Sequence, residues 1–205
     1  MPRSPPTRVP PEAAIDALSD MLHVEPAALK AVWQVESAGA SFQHDGKPSI
    51  LFERHIFWRR LVVHKIDPRS HALREPTLLS TTPGGYGTSA SQHERLRRAE
   101  RIHQAAARES ASWGAFQIMG FHWRALRYAS IDAFVEAMFR DEAAHFDALG
   151  RFLRLDPRVL RALRTRDWAA FARAYNGPAY RKNRYDEKLA SAYRAFTRHD
   201  AQAAS

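Results

Sequence analysis

The sequence predicts a mainly α fold in a single domain with one small β-hairpin, and three observations carry that expectation. Apolar residues recur at helical spacing through most of the chain. Only one short run, Ile50-Leu51-Phe52, reads as a strand, and it follows the hairpin turn signal Asp45-Gly46. At 205 residues the chain is long enough to bury a substantial core and short enough to do so once.

Residues 1–11 are Pro-rich and read as a flexible tail, residues 12–199 as the single domain, and 200–205 as a disordered C-terminus. Ile15, Leu18, Met21 and Leu22 mark a short helix between Glu12 and His23. His23 to Pro26 breaks it, and a second helix runs from Pro26, suited to a first helical position, towards Gly39, suited to the stop. Residues 54–66 return to helical spacing, whereas 67–91 are rich in Pro, Ser, Thr and Gly and read as one long surface loop. Ser91 with Glu94 reads as a capping box for a helix to about Glu109, with Leu96, Ala99, Ile102 and Ala106 inward. Ser130 caps the longest expected helix, about 131–155, with Phe134, Met138, Phe146, Leu149 and Phe152 as its stripe. Asp156-Pro157 opens another short helix, 167–180 holds one stopped by Asn176-Gly177-Pro178, and a last one runs from about Tyr185 to Arg198.

With 31 Lys plus Arg against 22 Asp plus Glu, the net charge of +9 favours polyanionic partners, whether nucleic acid, an anionic membrane surface or an anionic wall polymer. No cysteine is present, so disulfides and thiolate metal sites are excluded. No run of about 18 apolar residues exists to span a membrane, and the Pro-rich start has no apolar core of a signal peptide. The expectation is a protein made in the cytoplasm that needs another route out. Ten histidines are scattered, and His93-Glu94 lacks the second His of a zinc helix, so no metal and no cofactor are expected.

Glu36 is the first candidate for chemistry. In the second helix Leu29, Val32, Trp33 and Glu36 share one face, three of them apolar. A carboxyl at the edge of an apolar face loses water around its charged form, which raises its pKa. The negative end of the helix dipole acts in the same direction. A Glu that keeps its proton near neutral pH is what general acid catalysis requires. The plain alternative is a Glu that flanks the helix end and reaches solvent, the usual situation for this residue.

Four segments put polar residues at the ends of elements against apolar neighbours: Glu36-Ser37-Ala38-Gly39, Ile50 to His55, Ser112 to Gly120, and Trp168 to Tyr180 with its Ala174-Tyr175-Asn176-Gly177 core. Junctions of this kind build clefts. Their order and content resemble the lysozyme-like superfamily of goose-type lysozymes and soluble lytic transglycosylases, and more closely the N-acetylmuramidase domain of phage endolysins. The resemblance covers roughly residues 12–198; Ala38 departs from it, since relatives commonly have Gly there. It implies a lysozyme-like helical domain with a small β-hairpin beside the active-site cleft. It also implies cleavage of the β-1,4 bond between N-acetylmuramic acid and N-acetylglucosamine, with Glu36 as general acid.

By the same resemblance Gln117, Tyr175 and Asn176 line the sugar cleft. Ile118, Met119 and Tyr180 are further motif positions offered as substrate-binding residues, and Ser37 and Ser112 are hydrogen-bond partners rather than nucleophiles. Glycosidases usually pair two carboxylates. Glu53 fits the motif Phe52-Glu53-Arg54-His55, although a salt bridge to an Arg would explain it equally. Asp45 at the hairpin tip is the other candidate, with a turn residue as its plain reading. His55 beside Glu53 is a candidate site residue or a histidine satisfied in the core. Lytic transglycosylases need no second carboxylate, because the substrate's own 6-hydroxyl attacks and leaves a 1,6-anhydro end, so both outcomes stay open. The implied role is that of a phage or prophage endolysin reaching the wall after release from the host cytoplasm, with peptidoglycan strands as partner and anionic outer-membrane lipids as an electrostatic contact. A monomer is expected. The same chemistry would serve a secreted antibacterial toxin. The competing class is a basic nucleic-acid-binding helical module, but the Arg residues are spread over many helices and no recognition helix is evident.

Overall fold

The computed structural model describes residues 11–36 and 41–203. Among these residues there are ten α-helices and a small antiparallel sheet of order β1-β2-β3, and the chain divides into two compact units. One unit runs to Val35 and resumes at Asp156; the other spans Glu36–Leu155.

The first unit contains α1 (Glu12–Leu22), most of α2 (Pro26–Glu36), α8 (Pro157–Thr165), α9 (Trp168–Asn176) and α10 (Tyr185–Ala203). Ile15, Leu18 and Leu22 bury one face of α1. In α2 every residue from Ala27 to Trp33 is buried, a helix enclosed all round rather than on one stripe. Sequence punctuation explains the helix ends: Asp156 accepts the Arg158 N–H at 2.9 Å with Pro157 behind it, and Asp167 accepts the Ala170 N–H at 3.0 Å. Gly177, at φ +82°, ends α9 in a conformation that suits only glycine well. Glu25 ties the unit together, accepting from Arg166 at 3.0 Å and from the Tyr193 hydroxyl at 2.7 Å.

The second unit is organised on α5 (Gln92–Glu109), which packs against α3 (Arg54–Val63), α6 (Ile131–Arg140) and β1 (Ile50–Phe52). β1 pairs with β2 (Ala111–Trp113), which pairs with β3 (Ile118–Met119). The sheet therefore corrects the reading of a lone hairpin. The Asp45-Gly46 turn forms, with Gly46 N–H donating to Gln43 O at 3.0 Å. The strand after it, however, takes its partner from residues 111–113, with Ile50 opposite Trp113. Strands of three and two residues are too short to show alternation.

Three further expectations are revised. Residues 67–91 hold a helix, α4 (Pro68–Arg74), capped by Asp67 but burying only Pro68, so it has no apolar face to read. The capping box is absent: the Ser91 hydroxyl donates to Thr88 O at 2.7 Å instead, and Gln92 turns inward. The expected helix 131–155 is two, because Asp141 is fully extended (φ −167°, ψ 173°) and caps α7 (Glu142–Leu153) through the Ala144 N–H at 2.8 Å. Ser130 does cap α6, accepting the Ala133 N–H at 3.0 Å. α5 itself kinks at His103 (φ −162°, ψ 109°), whose Nδ1 accepts the Ala106 N–H at 3.1 Å and restarts the helix.

Candidate active site

Within the second unit an open cleft of about 860 Å³ is lined by Glu36 on one side and by the 42–45 turn, β1, the 87–92 segment and the 114–117 turn on the others. Glu36, the last residue of α2, is half-buried and contributes to this wall. Gln43, Asp45, Ser49, Gln92 and Gln117 supply polar groups, and Phe42, Ile50, Leu51 and Ala115 supply apolar surface. Polar groups that fix orientation against an apolar floor are what a sugar chain requires.

The 114–117 turn is rigid. Gln117 sits in the left-handed region at φ +48°, and its side-chain amide is saturated by the protein. Its Oε1 accepts from the Ser112 hydroxyl at 2.8 Å, and its Nε2 donates to Gly114 O at 2.9 Å and Ser49 O at 3.3 Å. Gly114 (φ +70°) lies against the buried His145 ring, where any Cβ would come within 3.0 Å of it. His145 Nδ1 accepts the Ala115 N–H at 3.2 Å, so Nε2 carries the proton and donates to Met138 O at 2.8 Å. The same ring stacks on Phe42 at 5.0 Å, and Ser41 donates to Glu142, so two walls of the cleft are pinned to α7.

Gly87, Ser89, Ala90 and Gln92 form a further wall, and the residues just before them are held in place. Arg95 donates to the carbonyls of Gly85 at 2.9 Å, Tyr86 at 3.0 Å and Thr77 at 2.7 Å. Gln92, almost fully buried, accepts the Phe52 N–H at 2.9 Å and donates to Tyr86 O at 2.6 Å and Thr88 O at 3.0 Å, joining the end of β1 to this wall. Burial first, then the Glu53 carboxylate that its phenol meets, pushes the Tyr86 hydroxyl up from its ordinary range.

The sequence candidates fall into distinct places. Glu36, Asp45 and Gln117 share the cleft, and buried Ser112 holds Gln117 from behind. Glu53 does not line the cleft; it sits at the start of α3, its Oε2 3.2 Å from His55 Nδ1 without the alignment of a hydrogen bond, and it touches Tyr86. His55 is likewise off the lining. Ile118 is buried and Met119 half-buried in β3, where they hold the sheet. Tyr175, stacked on Phe171 at 5.2 Å, and Asn176 end α9, and Tyr180 is buried in the 3-10 segment Pro178–Asn183; all three belong to the first unit. Ser37 lies outside the described residues. Gln43, Ser49, Tyr86, Gln92 and His145 were not singled out by the sequence. Gln92 is the one with a signal, a polar residue at a helix start that neither caps nor faces solvent. Among the described residues, no group of three His, Asp or Glu side chains is placed to hold a metal.

Asp45 is held below the usual carboxylate range, chiefly by hydrogen bonds from the Lys47 side chain at 2.6 Å and backbone at 3.2 Å. It is therefore ionised across the neutral range.

The N-acetylmuramidase family model matches residues 25–197, a span that takes in both units. The chain belongs to the N-acetylmuramidase family. It is also similar to the crystal structure of a Burkholderia AP3 phage endolysin, with 44% identity and a TM-score of 0.87 over 96% of this chain and 74% of that one. No curated protein in the comparison matches it. The cleft is lined by residues between 36 and 117 of a chain whose family match extends well beyond them.

Proposed function

We propose that this muramidase cleaves the β-1,4 bond between N-acetylmuramic acid and N-acetylglucosamine, with Glu36 as general acid, in the manner of an endolysin acting on a bacterial wall. A peptidoglycan-degrading activity follows from the family; the bond and the acid are the further step. The observation that carries it is a half-buried carboxyl at the end of a buried helix, set in the wall of an open, mixed polar and apolar cleft. Glu36 gives its proton to the leaving glycosidic oxygen as positive charge develops on the sugar ring. A second carboxylate in the lining of the cleft steadies that charge. Asp45 suits this role better than Glu53, because Asp45 lines the cleft and is kept ionised by Lys47, whereas Glu53 is engaged with Tyr86 and His55. Because Lys47 shares its charge, Asp45 is an electrostatic partner rather than a nucleophile, and the attacking group is water or the substrate's 6-hydroxyl.

Residues 12–199 act as one catalytic domain in this reading. The net charge of +9 draws the enzyme to anionic wall and to outer-membrane phosphates. Among the described residues no helix is long and apolar enough to cross a membrane.

Mass spectrometry of fragments released from purified peptidoglycan tests the mechanism. Reducible muramic acid ends identify a hydrolase, and 1,6-anhydro ends a lytic transglycosylase. Glu36→Gln is expected to lower the rate by roughly 10²–10⁴-fold, the usual worth of general acid catalysis, with an unchanged melting temperature. A Glu36→Gln protein that still clears wall at the original rate would remove Glu36 from the chemistry.

A further inference from the structure

A second hollow, of about 410 Å³, adjoins the cleft and shares Gln43, Asp45 and Ala90 with its lining. Its floor is mixed: Leu96, Trp113 and Val135 are buried in the lining, beside the half-buried ion pair of Arg108 with Glu100. Over the floor stands Phe139, 44% exposed, its ring 6.2 Å from His93 and 6.3 Å from Trp113. An aromatic ring left nearly half exposed above a hollow gains when something covers it. The rim carries both signs of charge in exposed pairs: Lys47 with Asp45, and Arg97 with Glu94. Exposed pairs of this kind hold together only weakly in water, so a ligand bringing its own charges can exchange with them at little cost.

We propose that this hollow receives the peptide stem carried by the muramic acid residue bound in the adjoining cleft, a reading that rests on the muramidase assignment above. The stem is the part of the substrate that joins alanine methyls to carboxylates and an amine, and it leaves the glycan from the sugar ring itself. Phe139 covers the methyls, Arg97 and Lys47 meet the carboxylates, and Glu94 meets the amine. A glycan residue fits less well, because Trp113 is only 1% exposed and offers a sugar no open face. The hollow thus makes the enzyme select muramic acid that carries a stem over muramic acid that does not.

The test compares intact peptidoglycan with glycan strands stripped of their stems by an amidase, using wild type, Phe139→Ala and Arg97→Glu. Both side chains are largely exposed, so both variants should fold, with melting temperatures only slightly below wild type. Each variant is expected to lose roughly tenfold in kcat/KM on stem-bearing wall, the scale of one lost contact, and nothing on stripped strands. Equal losses on both substrates would put glycan in the hollow and overturn the proposal, as would no loss on either. A titration of the free tripeptide L-Ala-D-Glu-diaminopimelate into isotope-labelled wild type reads the hollow without any cleavage. Amide shifts centred on Phe139 and Arg97 support the proposal, and their absence at millimolar peptide overturns it. Failure of the muramidase reading itself looks different: wild type would release no fragments from either substrate, while the titration would still decide the hollow.

Discussion

Gln117 works against its own backbone. A left-handed conformation costs a residue with a Cβ about 1–2 kcal/mol, and at φ +48° this one is held there by three side-chain hydrogen bonds to Ser112, Gly114 and Ser49. Strain that persists because its surroundings enforce it is a mark of functional positions. Gln117→Ala keeps the strain and removes the bonds, so it should destabilise by about 1–2 kcal/mol in denaturant melts and slow wall cleavage beyond what that loss explains. Activity equal to wild type would make the turn purely structural. Tyr86 does not line the cleft but immediately precedes Gly87, which does. Its hydroxyl meets Glu53 while its carbonyl is held by Gln92 and Arg95, a path that connects Glu53 to the cleft wall. Tyr86→Phe should raise KM by roughly three- to tenfold, about 1 kcal/mol, with kcat nearly unchanged. A fall in kcat alone would instead favour Glu53 as a group that meets substrate.

At the level of elements, Glu109 is the joint of the second unit. It ends α5, is 3% exposed, and accepts from Arg60 Nε and Nη2 and from His64 Nε2, each at 2.8 Å, and from Trp123 Nε1 at 2.9 Å. It thereby ties α3 and α5 to the segment after β3. That segment approaches closely: a Cβ on Gly120 would lie 2.2 Å from Arg108 O. Burial alone would raise the Glu109 carboxyl, but the hydrogen bonds from Trp123, His64 and Arg60 outweigh it and hold the group below its ordinary value. Removing one partner of a buried ionic network leaves the others uncompensated, at a cost of about 3–5 kcal/mol. Glu109→Gln should therefore lower the melting temperature by roughly 10 °C, measured by circular dichroism. A shift within a degree or two would show that Arg60 and His64 find equivalent partners.

For the whole molecule the histidines decide the response to acid. Burial holds His93, His103 and His122 below the ordinary histidine value of 6.5, with the His64 charge adding to the effect at His103. In each case the folded state prefers the neutral ring, and the unfolded chain binds the proton more readily. Stability is then complete above about pH 6.5 and declines as pH falls from there through the folded-state values. The depressed carboxyl of Glu109 adds a second loss below about pH 4.5, by the same linkage. Melting temperatures should be level above pH 7 and fall steadily from pH 6.5 to pH 5; a rise over that interval would contradict the buried-histidine account.

Local chemistry was legible from the sequence because it acts within a few residues. Ser130, Asp156 and Asp167 cap helices where short polar side chains precede apolar runs, and Gly177 stops a helix where only glycine fits comfortably. The motifs at Glu36 and Gln117, and the turn signal at Asp45, picked out three residues that share one cleft. What depends on distant partners was not legible. β2 and β3 are too short to announce themselves; β2 pairs with β1, about sixty residues away along the chain, and β3 pairs with β2. His145 carries no local signal and Gln92 only its place at a helix start, since their bonds to Phe52, Tyr86, Ala115 and Met138 are set by which elements meet. By itself the sequence determined most of the helices, the caps at Ser130, Asp156 and Asp167, and a candidate acid. Only the tertiary structure decided which polar groups line the cleft beside Glu36, because hydrogen bonds between remote segments depend on packing and not on spacing.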